Sequence, residues 1–450
     1  MTLEAVTQHQ KSIRRLLDAQ RIYEAIIELS PIVEEVADYH LTEHFNSVKM
    51  SYDYMLQYFL AGVTDQGREA MLYRINDSLY TITDQCVIAL SLGQSFELFY
   101  TKTAMLHKHS LQSMVQNYLE ALNKFELLCS VPEESQNRLA ISTLKREMEK
   151  SAVDIFNKVW CAFPFSAEDV QSSKQLLDTA PEYVKQLLMA ALFLGQTKFY
   201  DETKLILMME TYLAATDVKT QTRALVGVAL TLILHPKRIQ LSSRLSSLMA
   251  NLAENHHFQA DVNSIVQRLV MARNTENLSK RMREELMPNI MNMDPGLLSK
   301  LKSNPPIDPS ELEENPQWQD WLEESGVSKK IEELNKLQTE GEDVFISTFS
   351  KLKSFPFFNT LANWFLPFYP SHSMCEDALG ANKKLVSVVK IAPFLCDSDK
   401  YSFCFSIASM PKSQMNMMAS QMDLLNHDLK ELESAQLPSS DAQQLIAFIN

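Results

Sequence analysis

A chain of 450 residues, 46% apolar and 22% charged, has more to bury than one ordinary core holds, and its composition argues against large-scale disorder. Only nine glycines occur, far below the usual share of about 7%. That scarcity, with no G-x-G-x-x-G and no G-x-x-x-x-G-K-[ST], argues against Rossmann or P-loop chemistry and tight β-hairpins, while a net charge of −14 makes nucleic acid an unexpected partner.

The N-terminus, MTLEAVTQHQKSIRRLL, lacks the charged-then-apolar pattern of a secretory signal. Residues 3–165 read as about seven helices of irregular length, without a repeat. Ser30-Pro31 reads as an N-cap and a first-turn proline opening a helix through IVEEVADYHLTEHF. Ser130 to Glu134 reads as another helix start, and Ser166 to Asp169 as a capping box. The cysteines, Cys86, Cys129, Cys161, Cys375, Cys396 and Cys404, form no C-x-x-C pair. They read as reduced and mostly buried, as in a cytoplasmic protein, with Cys375 the accessible-looking one.

His40-Leu41-Thr42-Glu43-His44 is the string closest to an enzyme motif. It fits H-x-x-E-H, the zinc pattern of inverted zincins. On a helix His40 and His44 share a face, Glu43 is placed to act as general base, and Glu97 is a candidate third ligand. That family is α/β, and no strand is evident here. The two histidines also extend the stripe of Val33 and Val36, so the leading reading is structural and the zinc hydrolase is the alternative.

From residue 166 the chain becomes periodic. Asp178, Asp217 and Asp261, spaced 39 and 44 residues, each precede an apolar helix: YVKQLLMAALFLG, VKTQTRALVGVALTLIL and VNSIVQRLVMA. The helices FYDETKLILMMETYLAA and LSSRLSSLMANLAEN lie between them. A helix, a turn and a helix per unit at this spacing resembles HEAT or armadillo repeats over residues 178–290. Asp217, Arg223, Gly227 and Ala229 resemble the second helix of a HEAT repeat. That resemblance implies an aspartate–arginine ladder between units and small residues for close helix packing. The neighbouring units depart from it, with Gln267 at the arginine position of one and Lys185 one place late in the other. A tetratricopeptide array is the nearest rival. The longest apolar run, 224–234, is too short to cross a bilayer, so no membrane span is expected.

Prolines at 305, 306, 309 and 316 then break the helical pattern in a linker, 301–330. Twelve acids and three bases fall between 308 and 343, a net −9 that leaves −5 for the rest of the chain. A solvated helix face is the default reading of that run. Residues 331–450 read as a further helical region whose last helix, QMNMMASQMDLLNHDLKELE, is rich in methionine; Met410, Met415, Met417, Met418 and Met422 cluster there and just before it. Its segment 394–411, FLCDSDKYSFCFSIASMP, resembles bacterial tetratricopeptide-containing proteins. The chain ends on QQLIAFIN with no capping signal, as if it continued into a longer protein.

FPFFNTLANWFLPFYP, residues 355–370, holds seven aromatics and three prolines. As a helix it places Phe357, Leu361, Trp364 and Phe368 on one stripe and Phe358, Leu361 and Phe365 on another. Such an all-round apolar element must be buried. It reads first as a core plug, second as a partner interface formed by Phe357, Phe358, Trp364, Phe365 and Phe368, and last as a membrane contact.

These expectations describe an all-α helical-repeat protein, an α-solenoid of HEAT-like hairpins with a further helical C-terminal region. Four segments are expected: 1–165 irregular and helical, 166–300 repeats, 301–330 linker, 331–450 helical. The expected activity is non-catalytic protein binding in the cytoplasm, with no cofactor. Asp217, Arg223 and Gly227 are the expected structural residues, and a HEAT-like nucleic-acid binder using Lys219, Arg223, Lys237, Arg238 and Arg244 is the second alternative.

Overall fold

A computed structural model describes residues 1–132, 137–239, 242–281, 353–379, 389 and 396–409. The linker, the acidic run and the methionine-rich last helix lie outside these described residues. Among them there are seventeen α-helices and no strand. The chain divides into two compact units, Met1–His256 and His257–Asn450.

The first unit opens with α1 (Leu3–Asp18), α2 (Ile22–Val36), α3 (Tyr39–Leu60) and α4 (Arg68–Ser91). α4 packs on the other three, around Ile13, Leu17, Ile26, Leu29, Leu79, Ile82 and Cys86. The helix expected to start at Ser30-Pro31 does not start there. α2 runs from Ile22 straight through Pro31, an exposed residue, so the carbonyl freed by its missing N–H stays open to water. The break comes later. Ala37 takes a left-handed conformation, φ 54°, and the Asp38 carboxylate accepts the Leu41 N–H at 2.8 Å to cap α3. IVEEVADYHLTEHF is therefore two helices.

Next come α5 (Leu98–Leu106), α6 (Leu111–Ser130), α7 (Arg138–Cys161), α8 (Ala167–Thr179), α9 (Glu182–Lys198), α10 (Glu202–Ala214), α11 (Val218–Leu234), α12 (Pro236–Ile239) and α13 (Ser243–Ala253). Seven helices thus span 3–161, as expected. Ser130 closes α6 rather than opening a helix, and Asn137 caps α7. Ser166 and Asp169 form the expected reciprocal capping box.

These helices lie in two interleaved rows. α6, α8 and α10 touch in succession, as do α5, α7, α9 and α11, and α10–α11 and α6–α7 pack as hairpins. The rows begin before residue 166. Flanked on both sides, α9 buries residues around most of its circumference, which is why its sequence is apolar without a polar stripe. At Gly227, α11 packs closely against α10 and α9. A Cβ there would stand 2.7 Å from Met208 Sδ and 3.3 Å from Phe193 Cβ.

The second unit contains α14 from His257 onward (the helix is His256–Arg281), a 3-10 turn (Pro356–Asn359), α15 (Ala362–Phe365), α16 (Ser373–Leu379) and α17 (Asp397–Ala408). α17 packs on α15 and α16. The aromatic stretch is not one helix. Asn363 Nδ2 donates to the Phe357 carbonyl at 2.8 Å and Trp364 Nε1 to the Phe358 carbonyl at 2.7 Å, which replaces helical backbone bonds with side-chain ones. Thr360 is extended between the two short turns, and Pro367 and Pro370 prevent any continuation.

Candidate functional site

His40 and His44 lie on the first turns of α3 with Glu43 between them, and all three are exposed. The left-handed break at Ala37 rotates α3 away from the Val33 and Val36 stripe, so the histidines are not the part-buried pair expected from the pattern. His40 stands edge-on to Tyr39 at 5.6 Å. Glu97 precedes α5 and pairs with Lys198 at 2.5 Å. Among the described residues no three His, Cys, Asp or Glu side chains converge on a metal-sized site, so Glu97 does not join His40 and His44.

Asp217 caps α11. One carboxylate oxygen accepts the Lys219 N–H at 3.2 Å. The other accepts the Thr220 N–H at 2.9 Å, the Thr220 hydroxyl at 2.6 Å and the Gln186 amide at 3.2 Å. Partial burial raises its pKa, but these hydrogen bonds outweigh it and leave the carboxyl below its ordinary value. Arg223 is buried, and its Nη1 donates to the Gln186 carbonyl at 3.5 Å. Both residues therefore reach one residue of α9. The aspartate period does not hold beyond this turn. Asp178, in the last turn of α8, comes just ahead of α9 as expected but does not cap it, since Pro181 holds that place, and Asp261 lies inside α14 rather than before a helix.

Beside Asp217 a half-open pocket of about 420 Å³ lies between α8, α10 and the start of α11. Leu177 and Leu207 supply apolar lining, and Lys174 pairs with Glu210 at 2.8 Å. Its volume falls in the range of small-ligand sites.

The sequence reading missed a polar junction between the N-terminal helices and the rows. Asp84, on α4, is fully buried. It accepts Gln10 Nε2 at 3.0 Å and Arg14 Nη2 at 2.7 Å, and Arg238 Nη1 lies 4.0 Å away. Arg238 also donates to Asp77 at 2.5 Å, and its guanidinium sits 4.7 Å from the Tyr80 ring and 4.4 Å from the Tyr200 ring. Lys237 pairs with Asp18 at 3.2 Å, and Tyr80 donates to Asp18 at 2.5 Å. Burial, then the Asp18 carboxylate, push the Tyr80 hydroxyl well above its ordinary pKa. Three of the five bases once assigned to a nucleic-acid face, Arg223, Lys237 and Arg238, are thus engaged within the protein. The available signal was Asn76, Thr83 and Asp84 lying on the apolar face of α4, too few to separate a polar network from a solvent edge.

Lys204 is also buried, and the pattern passed over it. Its Nζ donates to the Val159 carbonyl at 2.8 Å and the Trp160 carbonyl at 3.3 Å, at the end of α7. Burial pulls its pKa down from 10.5 to about 8, partly opposed by Asp201.

In the second unit Phe357, Phe358 and Phe368 are buried, Phe365 is half-buried and Trp364 is 44% exposed. Phe357 is enclosed by the rings of Tyr401 at 4.6 Å, Phe405 at 5.2 Å and His372 at 5.4 Å. Tyr401 closes the cluster by donating to the Pro367 carbonyl at 2.9 Å. Cys375 is fully buried, contrary to its accessible appearance in the sequence. Cys396 Sγ donates to Asp399 at 3.0 Å, and burial followed by that carboxylate's charge raises the thiol to about 12, the opposite of an activated nucleophile.

No protein-family profile, curated protein or solved structure matches the chain. No helix among the described residues is long and apolar enough to cross a membrane.

Proposed function

We propose that this chain is a non-catalytic protein-interaction scaffold of the HEAT-like helical-repeat type, acting in the cytoplasm, with α8 to α11 as its binding surface. The observation that carries this reading is the half-open pocket of about 420 Å³ where α8, α10 and the start of α11 meet. The two interleaved helix rows support the repeat assignment, because stacked hairpins bury a continuous core and leave a long face open. Asp217 and Arg223 meeting at Gln186 supports an aspartate–arginine link between successive hairpins.

The test immobilises the purified chain beside its Ala214→Trp variant. Ala214 is an exposed residue of the pocket lining, so the indole fills the pocket without touching the core. Proteins captured from the cell of origin are identified by mass spectrometry. A reproducible partner that the variant loses supports the scaffold and its surface. A partner held equally by both moves the surface elsewhere, and capture of nothing removes the scaffold reading.

A further inference from the structure

The pocket beside Asp217 holds charge that the fold leaves unspent. Lys174 and Glu210 neutralise each other at 2.8 Å, and both oxygens of Asp217 are occupied by donors. Lys185 and Asp178 line the same pocket, and among the described residues neither side chain has a hydrogen-bond or ion-pair partner. Lys185 is half-buried on α9, while Asp178 is exposed in the last turn of α8. An unpaired ammonium in a pocket wall is less screened by water than one on an open surface, so an arriving carboxylate gains more there. A purely anionic ligand is disfavoured, because the lining holds one more acid than base. A ligand carrying both signs fits the two unspent groups, and Leu177 and Leu207 offer apolar contact.

Resting on the reading of α8 to α11 as a protein-binding surface, we infer that the pocket takes a short segment of a partner protein with one acidic and one basic side chain. The acid seats against Lys185 and the base against Asp178. An apolar side chain between them covers Leu177 and Leu207. The departure of Lys185 from the arginine-ladder position then has a use, because it leaves a cation facing the pocket.

The probes are the blocked tripeptides acetyl-Glu-Leu-Lys-amide and acetyl-Lys-Leu-Glu-amide, read by saturation-transfer NMR on the full chain. At least one order binds with millimolar affinity. Lys185→Gln weakens that peptide roughly tenfold, while Lys185→Arg keeps most of the binding. Replacing the peptide's Glu by Gln causes the same loss and makes binding insensitive to Lys185→Gln, as a coupled pair requires. The melting temperature of Lys185→Gln stays at the wild-type value, since the lysine has no partner to lose. Failure of both peptides to bind at about 10 mM, or an equal effect of Lys185→Gln on the Glu and Gln peptides, overturns the inference. If the peptides fail while Ala214→Trp still abolishes partner capture, the charge assignment falls and the scaffold stands. If the peptides bind and no protein is captured, the pocket is a small-molecule site and the scaffold falls.

Discussion

Replacing Lys204 by methionine converts a buried charge into an apolar side chain of similar length, and the effect depends on pH in a direction the structure sets. Lys204 is 1% exposed; its amine donates to the last-turn carbonyls of α7 and lies 5.3 Å from the Phe165 ring. A Cβ on residue 195 would lie 2.4 Å from that amine, so Gly195 is what admits it. The folded pKa of about 8 lies below the ordinary 10.5. Below pH 8 the lysine is charged in both states, and the cost of burying the charge is present in full. Between the two values the unfolded chain holds the proton and the folded chain releases it, so stability rises with pH. Integrated from pH 7 to 9.5, the gain is about 2 kcal/mol. The buried thiols of Cys86, Cys161 and Cys396 from about pH 8 upward, and the buried tyrosines near pH 10, have pKa values raised by burial and oppose this in wild type and variant alike, so the difference between the two proteins reports Lys204. Urea unfolding followed by far-UV circular dichroism should show the wild type gaining about 2 kcal/mol relative to Lys204→Met across that window. A constant difference between the two proteins from pH 7 to 9.5 would refute the argument, because it would mean the amine titrates alike in both states.

Phe357→Ala should cost about 3–5 kcal/mol by opening a cavity among Tyr401, Phe405 and His372, whereas Trp364→Ala, at an exposed position, should cost about 1 kcal/mol; thermal denaturation ranks the two. Arg238→Ala removes the partner of Asp77 and leaves the buried Asp84 to Arg14 and Gln10 alone, and should destabilise by about 2 kcal/mol, with hydrogen exchange rising first in α4 and α12. Gly227→Ala forces its methyl toward Met208 and should cost about 1–3 kcal/mol, read from the urea midpoint, with Met208→Ala as the partial rescue.

Helix type was legible because it rests on local periodicity. VKTQTRALVGVALTLIL is α11 residue for residue, and Ser166 to Asp169 caps α8 as read. Boundaries were less legible where tertiary context outweighed local signals. Pro31 sits inside α2 because its freed carbonyl faces water, and Ala37 turns left-handed without glycine to announce it. The candidate site was legible only in part. Asp217 was singled out for a ladder and serves as a cap and a wall of the pocket. Lys185 was noted only as a departure from a pattern, and Lys174 and Glu210 not at all, since α8 and α10 meet only in three dimensions.

What the amino-acid order determined by itself is the all-helical class, the places where apolar faces must be covered, and the caps that close within four residues, all of them near-neighbour physics. The tertiary structure alone decided which faces cover one another and which charges end up spent. Asp84 meets Arg14 across 70 residues and Arg238 meets Asp77 across 161, and Lys204 finds the end of α7. Lys185 meets no such partner among the described residues. Burial changes the energy of a charge by kilocalories, but only the packed chain says which charges are buried together.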